Sequence, residues 1–143
     1  MVYITNSDRE TAEVGKSLAE KLATRKIRRA VIAMRGEMGV GKTVFTRGFA
    51  EYFGIHGVKS PTYTIVNEHR SGGVRLFHFD LYRISDGDDL YSIGYDDYLG
   101  QDGYCIMEWS ERVPEEIPDG AIYVTISRVP ENDGQRKIDI SDF

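Results

Sequence analysis

Cysteine is nearly missing from this chain; Cys105 is the only one. An internal disulfide is therefore excluded, and a reducing, cytoplasmic setting fits best. Long apolar runs are missing too. No stretch approaches the roughly 18–20 apolar residues that cross a bilayer. Residues 1–8 lack a basic start followed by an apolar run, so no secretory signal is expected. An excess of positive charge is also missing. The formal net charge is −5, whereas a protein that grips nucleic acid directly is usually basic. The cluster Arg25-Lys26-Ile27-Arg28-Arg29 ends an expected helix, where the helix dipole favours positive charge. Any nucleic acid in this protein's biology is expected to be held by a partner. Internal repeats, low-complexity tracts and linkers are absent. The chain of 143 residues, 41% hydrophobic, suits one compact domain over residues 1–143.

The elements that remain alternate between strand and helix patterns. Val2-Tyr3-Ile4 reads as a short strand. Ser7-Asp8-Arg9-Glu10 is a capping-box pattern ahead of an apolar stripe through Thr11, Val14, Leu18 and Leu22, which predicts a helix over residues 8–25. Ala30-Val31-Ile32-Ala33-Met34 is a continuous apolar run, as expected of a parallel strand buried on both faces. Val44, Phe45, Phe49, Tyr52 and Phe53 recur at helical spacing, with Gly54 as the stop. Residues 63–70 and 74–80 flank Ser71-Gly72-Gly73 as a hairpin. Residues 86–98 predict one or two short helices, and residues 104–108 a short strand. Residues 121–129 and 136–140, joined by Glu131-Asn132-Asp133-Gly134, predict a last hairpin. The expected fold is α/β and P-loop NTPase-like: a mixed central sheet with helices on both faces, plus antiparallel hairpins.

Between the apolar strand and the second helix lies Gly36-Glu37-Met38-Gly39-Val40-Gly41-Lys42-Thr43, a match to Gly-x-x-x-x-Gly-Lys-[Ser/Thr]. Each fixed position has a physical task. The glycines allow positive φ and a close approach to anionic oxygens. Successive N–H groups form a concave anion nest, and the helix that follows adds its N-terminal partial positive charge. Lys42 is expected on the β- and γ-phosphates, and the Thr43 hydroxyl on Mg²⁺. A random chain of this length shows the pattern about once in 200, with Gly at roughly 7% of residues. The strand before it and the helix opening within it supply the context the motif requires.

Such a loop needs an acid across the site, at the C-terminal end of a strand. Asp80, ending Leu76-Phe77-His78-Phe79-Asp80, and Glu108, ending Tyr104-Cys105-Ile106-Met107-Glu108, both qualify. Their spacing leaves open which one touches the metal. His78 shares a strand face with Asp80, as a proton carrier or a structural hydrogen-bonding group. Ser60-Pro61-Thr62-Tyr63-Thr64 lies where phosphate-loop proteins often sense the γ-phosphate; a Pro-stiffened turn is the alternative.

Together these motifs resemble the TsaE (YjeE) family, bacterial ATPases of tRNA N6-threonylcarbamoyladenosine (t6A) synthesis. The resemblance rests on the loop with Phe45-Thr46-Arg47-Gly48, on residues 59–68, on His78-Phe79-Asp80-Leu81-Tyr82-Arg83, and on Glu108-Trp109. Glu37-Met38 and Val40 vary from the family's more familiar Asp-Leu and Ala. The resemblance implies ATP as the nucleotide, in keeping with the lack of an Asn-Lys-x-Asp guanine signature. It implies Mg²⁺ held by Thr43 and Glu108, Asp80 near the γ-phosphate or its water, and Thr62 and Thr11 toward the nucleotide. It further implies docking on a TsaB–TsaD protein pair, with tRNA met only through those partners and no membrane involved. The catalytic set expected is Lys42, Asp80 and Glu108, with a stabilising arginine from Arg83 or a partner. The acidic-aromatic stretch over residues 88–99 is a candidate docking surface or a packed helix pair. Two other readings compete: a small-molecule kinase, and a nucleotide switch that does not hydrolyse.

Overall fold

The computed structural model describes residues 1–61 and 64–143. Its elements, in chain order, are β1 (Val2–Thr5), α1 (Asp8–Thr24), β2 (Arg29–Arg35), α2 (Lys42–Tyr52), β3 (Val66–Ser71), β4 (Val74–Asp80), α3 (Gly87–Tyr91), α4 (Tyr95–Leu99), β5 (Gly103–Glu108), β6 (Ile122–Val129) and β7 (Asn132–Ile140). Short 3-10 turns at Ser110–Arg112 and Pro114–Glu116 follow β5.

The described strands join one seven-stranded sheet in the order β1-β7-β6-β2-β5-β4-β3. The centre is parallel: β2 pairs with both β5 and β6, and β4 with β5. The margins are antiparallel: β3 on β4, β7 on β6, β1 on β7. The continuous apolar runs of β2 and β5 match their central places, covered on both faces. The alternation along β2 divides the core. Ile32 and Met34 face one cluster with Leu18 and Leu22 of α1 and Phe45 and Phe49 of α2. Ala33 faces the other, with Leu90 of α3, Tyr95 of α4, Phe77 and Phe79. Helices thus cover both faces, as expected.

Helix α1 starts where the capping box predicts. The Ser7 side chain accepts from Glu10 N–H, and Glu10 Oε1 reaches back to Asn6 N–H at 3.1 Å. The last hairpin differs from expectation. Strand β7 begins at Asn132, and the turn is Pro130-Glu131, with Glu131 at φ 65°. Pro130 fixes one turn dihedral and Glu131 supplies the positive φ, so no glycine is needed. Asn132 therefore pairs with Val129, and the polar residues 133–135 bulge out of register before Arg136 pairs with Arg128.

Candidate functional site

Three parallel strands deliver the site. The loop of residues 36–41 leaves the end of β2. Asp80 ends β4 and Glu108 ends β5, and these two acids are register partners. Such an end of an open α/β sheet is where ligands bind. Strand alternation then puts both acids on one face of the sheet. Glu108 shares its β5 face with Tyr104 and Ile106, which pack toward α1 and α2. That is the face from which Thr43, at the start of α2, can reach it.

The loop has the backbone the glycines predict. Gly36, Gly39 and Gly41 take φ of 152°, 78° and 110°. A Cβ on Gly36 would stand 2.5 Å from the Ile126 carbonyl oxygen, so glycine is required there sterically as well as conformationally. Gly41 precedes α2 and offers it no side-chain cap. The contrast is with α1 and α3, whose first turns are capped by Ser7 and Asp86. The uncapped N–H groups of α2 are left for an anion.

Lys42 is only 5% exposed. Its ammonium donates to the Gly36 carbonyl and sits 3.4 Å from the centroid of the Trp109 ring. Burial lowers its pKa from the ordinary lysine value, against the opposing pull of Glu111, Glu108 and Asp80. Trp109 is held at φ 61°, a conformation costly for a non-glycine residue. Its ring packs tilted against Tyr82, centroids 5.0 Å apart, and Arg112 lies 5.0 Å over the Tyr82 ring.

The Thr43 hydroxyl lies 3.2 Å from both oxygens of Glu108 and 2.6 Å from Ser60 Oγ. A hydroxyl has one proton to give; with Thr43 donating to the carboxylate, Ser60 donates to Thr43. Glu108 is also bonded by Nε2 of His78, which is wholly buried. The His78 Nδ1 has no partner among the described residues. Asp80 is half-buried, and its Oδ1 accepts from Tyr82 N–H at 3.0 Å, fixing the turn out of β4. Thr43, Asp8, Met38, Gly39, Gly41, Lys42, Ser60, Asp80 and Glu108 line one cleft of about 390 Å³.

The donor set suits a hard cation. A hydroxyl and a carboxylate are oxygen ligands of the kind Mg²⁺ takes, and Mg²⁺ leaves most of its positions to water and phosphate. Among the described residues no group of three or more His, Cys, Asp or Glu could close around a metal ion.

The other expected residues fall as follows. Glu37 pairs with Arg128, Met38 is exposed and Val40 is buried beneath the loop. Thr11 is buried, with its hydroxyl on Thr5 at 2.7 Å and its methyl toward Gly41. Thr62 lies outside the described residues. Arg83 donates to the Thr64 carbonyl at 3.4 Å. Residues not anticipated also appear. Asp8 lines the cleft, and Glu111 accepts from Gly36 N–H at 3.1 Å. The Ser60–Thr43 and His78–Glu108 contacts link segments far apart in the chain, which no local pattern announces.

A phosphate loop at the end of central parallel strand β2, with acids ending the adjacent β5 and, one strand further, β4, defines a P-loop NTPase-like protein. The match to known proteins is narrower. The family model described as "Threonylcarbamoyl adenosine biosynthesis protein TsaE" matches residues 5–138, and the chain belongs to the TsaE family. It is 41% identical over 114 residues to a tRNA threonylcarbamoyladenosine biosynthesis protein TsaE of Haemophilus influenzae, covering 78% of this chain and 72% of that one. It is 32% identical over 142 residues to the Treponema pallidum TsaE, covering 99% and 100%. The crystal structure of Bacillus subtilis YdiB is similar, with a TM-score of 0.77 and 30% identity, over 96% of this chain and 82% of that one.

Proposed function

We propose that this chain is a Mg²⁺-dependent ATPase that serves formation of t6A in tRNA. It acts as one phosphate-loop domain over residues 1–143, in the cytoplasm, docked on a TsaB–TsaD pair that holds the tRNA. The observation that carries the reading is the meeting of Thr43 with both Glu108 oxygens at 3.2 Å, beside the uncapped start of α2. A lysine, a hydroxyl, a carboxylate and open amides converge there on one cleft.

In this reading the loop amides and Lys42 bind the triphosphate. Lys42 leaves the Gly36 carbonyl and the Trp109 face to do so. Thr43 and Glu108 hold Mg²⁺, which supplies positive charge to the phosphoryl oxygens. Ser60 and His78 fix the orientation of Thr43 and Glu108. Asp80 accepts a hydrogen bond from the attacking water and so orients it. The barrier falls chiefly through preorganised charge, not covalent chemistry.

Phosphate release with and without TsaB and TsaD tests the proposal, alongside ATP binding by calorimetry. Slow release that rises with the partners is expected, with no phosphorylated acceptor formed. Glu108→Gln should lower the rate by about 100-fold or more. Wild-type rates in both Glu108→Gln and Asp80→Asn would sink the carboxylate assignments. No hydrolysis by the wild type even with its partners would sink the ATPase reading.

A further inference from the structure

The phosphate loop is gripped from behind by two arginines that lie far along the chain. Arg128 Nη2 donates to the Met38 carbonyl at 3.0 Å, and its Nη1 meets Glu37 Oε2 at 3.1 Å. Arg136 Nε donates to the Val40 carbonyl at 3.1 Å. With Lys42 on the Gly36 carbonyl, the carbonyls of residues 36, 38 and 40 are each bonded to a cationic side chain. In a trans peptide the C=O and the following N–H point in opposite directions. Turning the Met38 and Val40 carbonyls toward the β6–β7 hairpin therefore turns the Gly39 and Gly41 N–H groups away from it. Gly39 and Gly41 line the cleft; neither arginine is among its lining residues.

The sheet itself is arranged around this grip. Arg128 and Arg136 are register partners on adjacent antiparallel strands. Like charges placed directly opposite one another destabilise such a pair. A shift in register falls between Arg128 and Val129, and a bulge bends a strand and re-aims its side chains. Arg136 Nη1 also donates to the Asp133 and Gln135 carbonyls of the bulge at 2.6 and 2.8 Å, which holds its guanidinium with Nε aimed at the loop. The two guanidinium groups thus leave the strand pair for separate loop carbonyls.

We propose that Arg128 and Arg136 are positioning residues of the nucleotide site. They hold alternate loop carbonyls outward so that the intervening amides stay aimed at the phosphates. The C-terminal hairpin is thereby part of the phosphate site. This rests on the loop binding a nucleoside triphosphate.

The test replaces each arginine singly. Methionine keeps the apolar stem and removes the donors; glutamine keeps an N–H donor and removes the charge; lysine keeps the charge. Calorimetric titration with MgATP and MgADP gives Kd, and amide NMR follows Gly39 and Gly41 without nucleotide. Each methionine variant is expected to bind both nucleotides about tenfold more weakly, with the Gly39 and Gly41 resonances displaced. Glutamine should restore most of both. If one methionine variant fails to fold, the other decides. Methionine variants with wild-type Kd and unmoved resonances overturn the proposal and leave the ATPase reading standing. Affinity that follows charge, retained by lysine and lost in glutamine, also overturns it. Wild type that binds neither nucleotide overturns the ATPase reading, and this inference with it.

Discussion

Lys42 is the residue on which the site turns, and its surroundings make a prediction about pH. Burial lowers its pKa, while phosphate binds only the protonated ammonium with full strength. In the complex, phosphate charge raises that pKa again. Affinity should therefore fall as pH rises through the lowered value, below the ordinary lysine range near 10.5. Calorimetric Kd for MgADP between about pH 8 and pH 10 tests this. A flat profile would mean that Lys42 stays charged throughout or does not meet phosphate. Lys42→Met should bind weakly and lose the dependence. The place of Lys42 in the cleft was legible from spacing alone, because the loop motif is local. His78 on Glu108 was not, because thirty residues of chain separate them and only the parallel pairing of β4 with β5 brings them together.

Among the elements, α1 and α2 set how the loop is presented, and two glycines set how they meet. A Cβ on Gly48 would lie 1.9 Å from the Ala12 carbonyl oxygen, and one on Gly15 would lie 2.2 Å from that of Phe45. Backbone approaches backbone at both points, so no side chain fits. Gly48→Ala should force the helices apart at a cost of about 1–3 kcal/mol. A lower urea midpoint with an unchanged m value would show it; an unchanged midpoint would mean the crossing yields easily. The helices themselves were readable from the apolar stripe and capping box, and β2 and β5 from their unbroken apolar runs. The start of β7 was not. Asn132 pairs with Val129 and the polar residues 133–135 bulge out of register, which no apolar pattern marks, and Glu131 takes the positive φ that a sequence reading assigns to glycine.

For the whole molecule, Cys105 is a reporter of global opening. It lies on central β5, 3% exposed, and burial pushes its thiol up to about 12. A thiol so buried and so weakly acidic reacts with a disulfide reagent only when the sheet opens. Labelling should be slow in native protein. MgATP at about 100 times its Kd should slow it a further 100-fold or so, by mass action on the folded state. Fast labelling that ignores nucleotide would place Cys105 in a locally opening segment instead.

The order of the sheet also has a consequence in time. Within the sheet β1 pairs with β7, and β7 reaches the centre through β6. The ribosome makes β1 first and β7 last of the strands. The N-terminal strand must therefore wait, unpaired, until residues through Ile140 have emerged. The residues that grip the phosphate loop from behind emerge in the same late stretch. Strand closure and completion of the nucleotide site thus belong to one event, so a nascent chain should gain its grip on nucleotide only once residues through Ile140 have emerged.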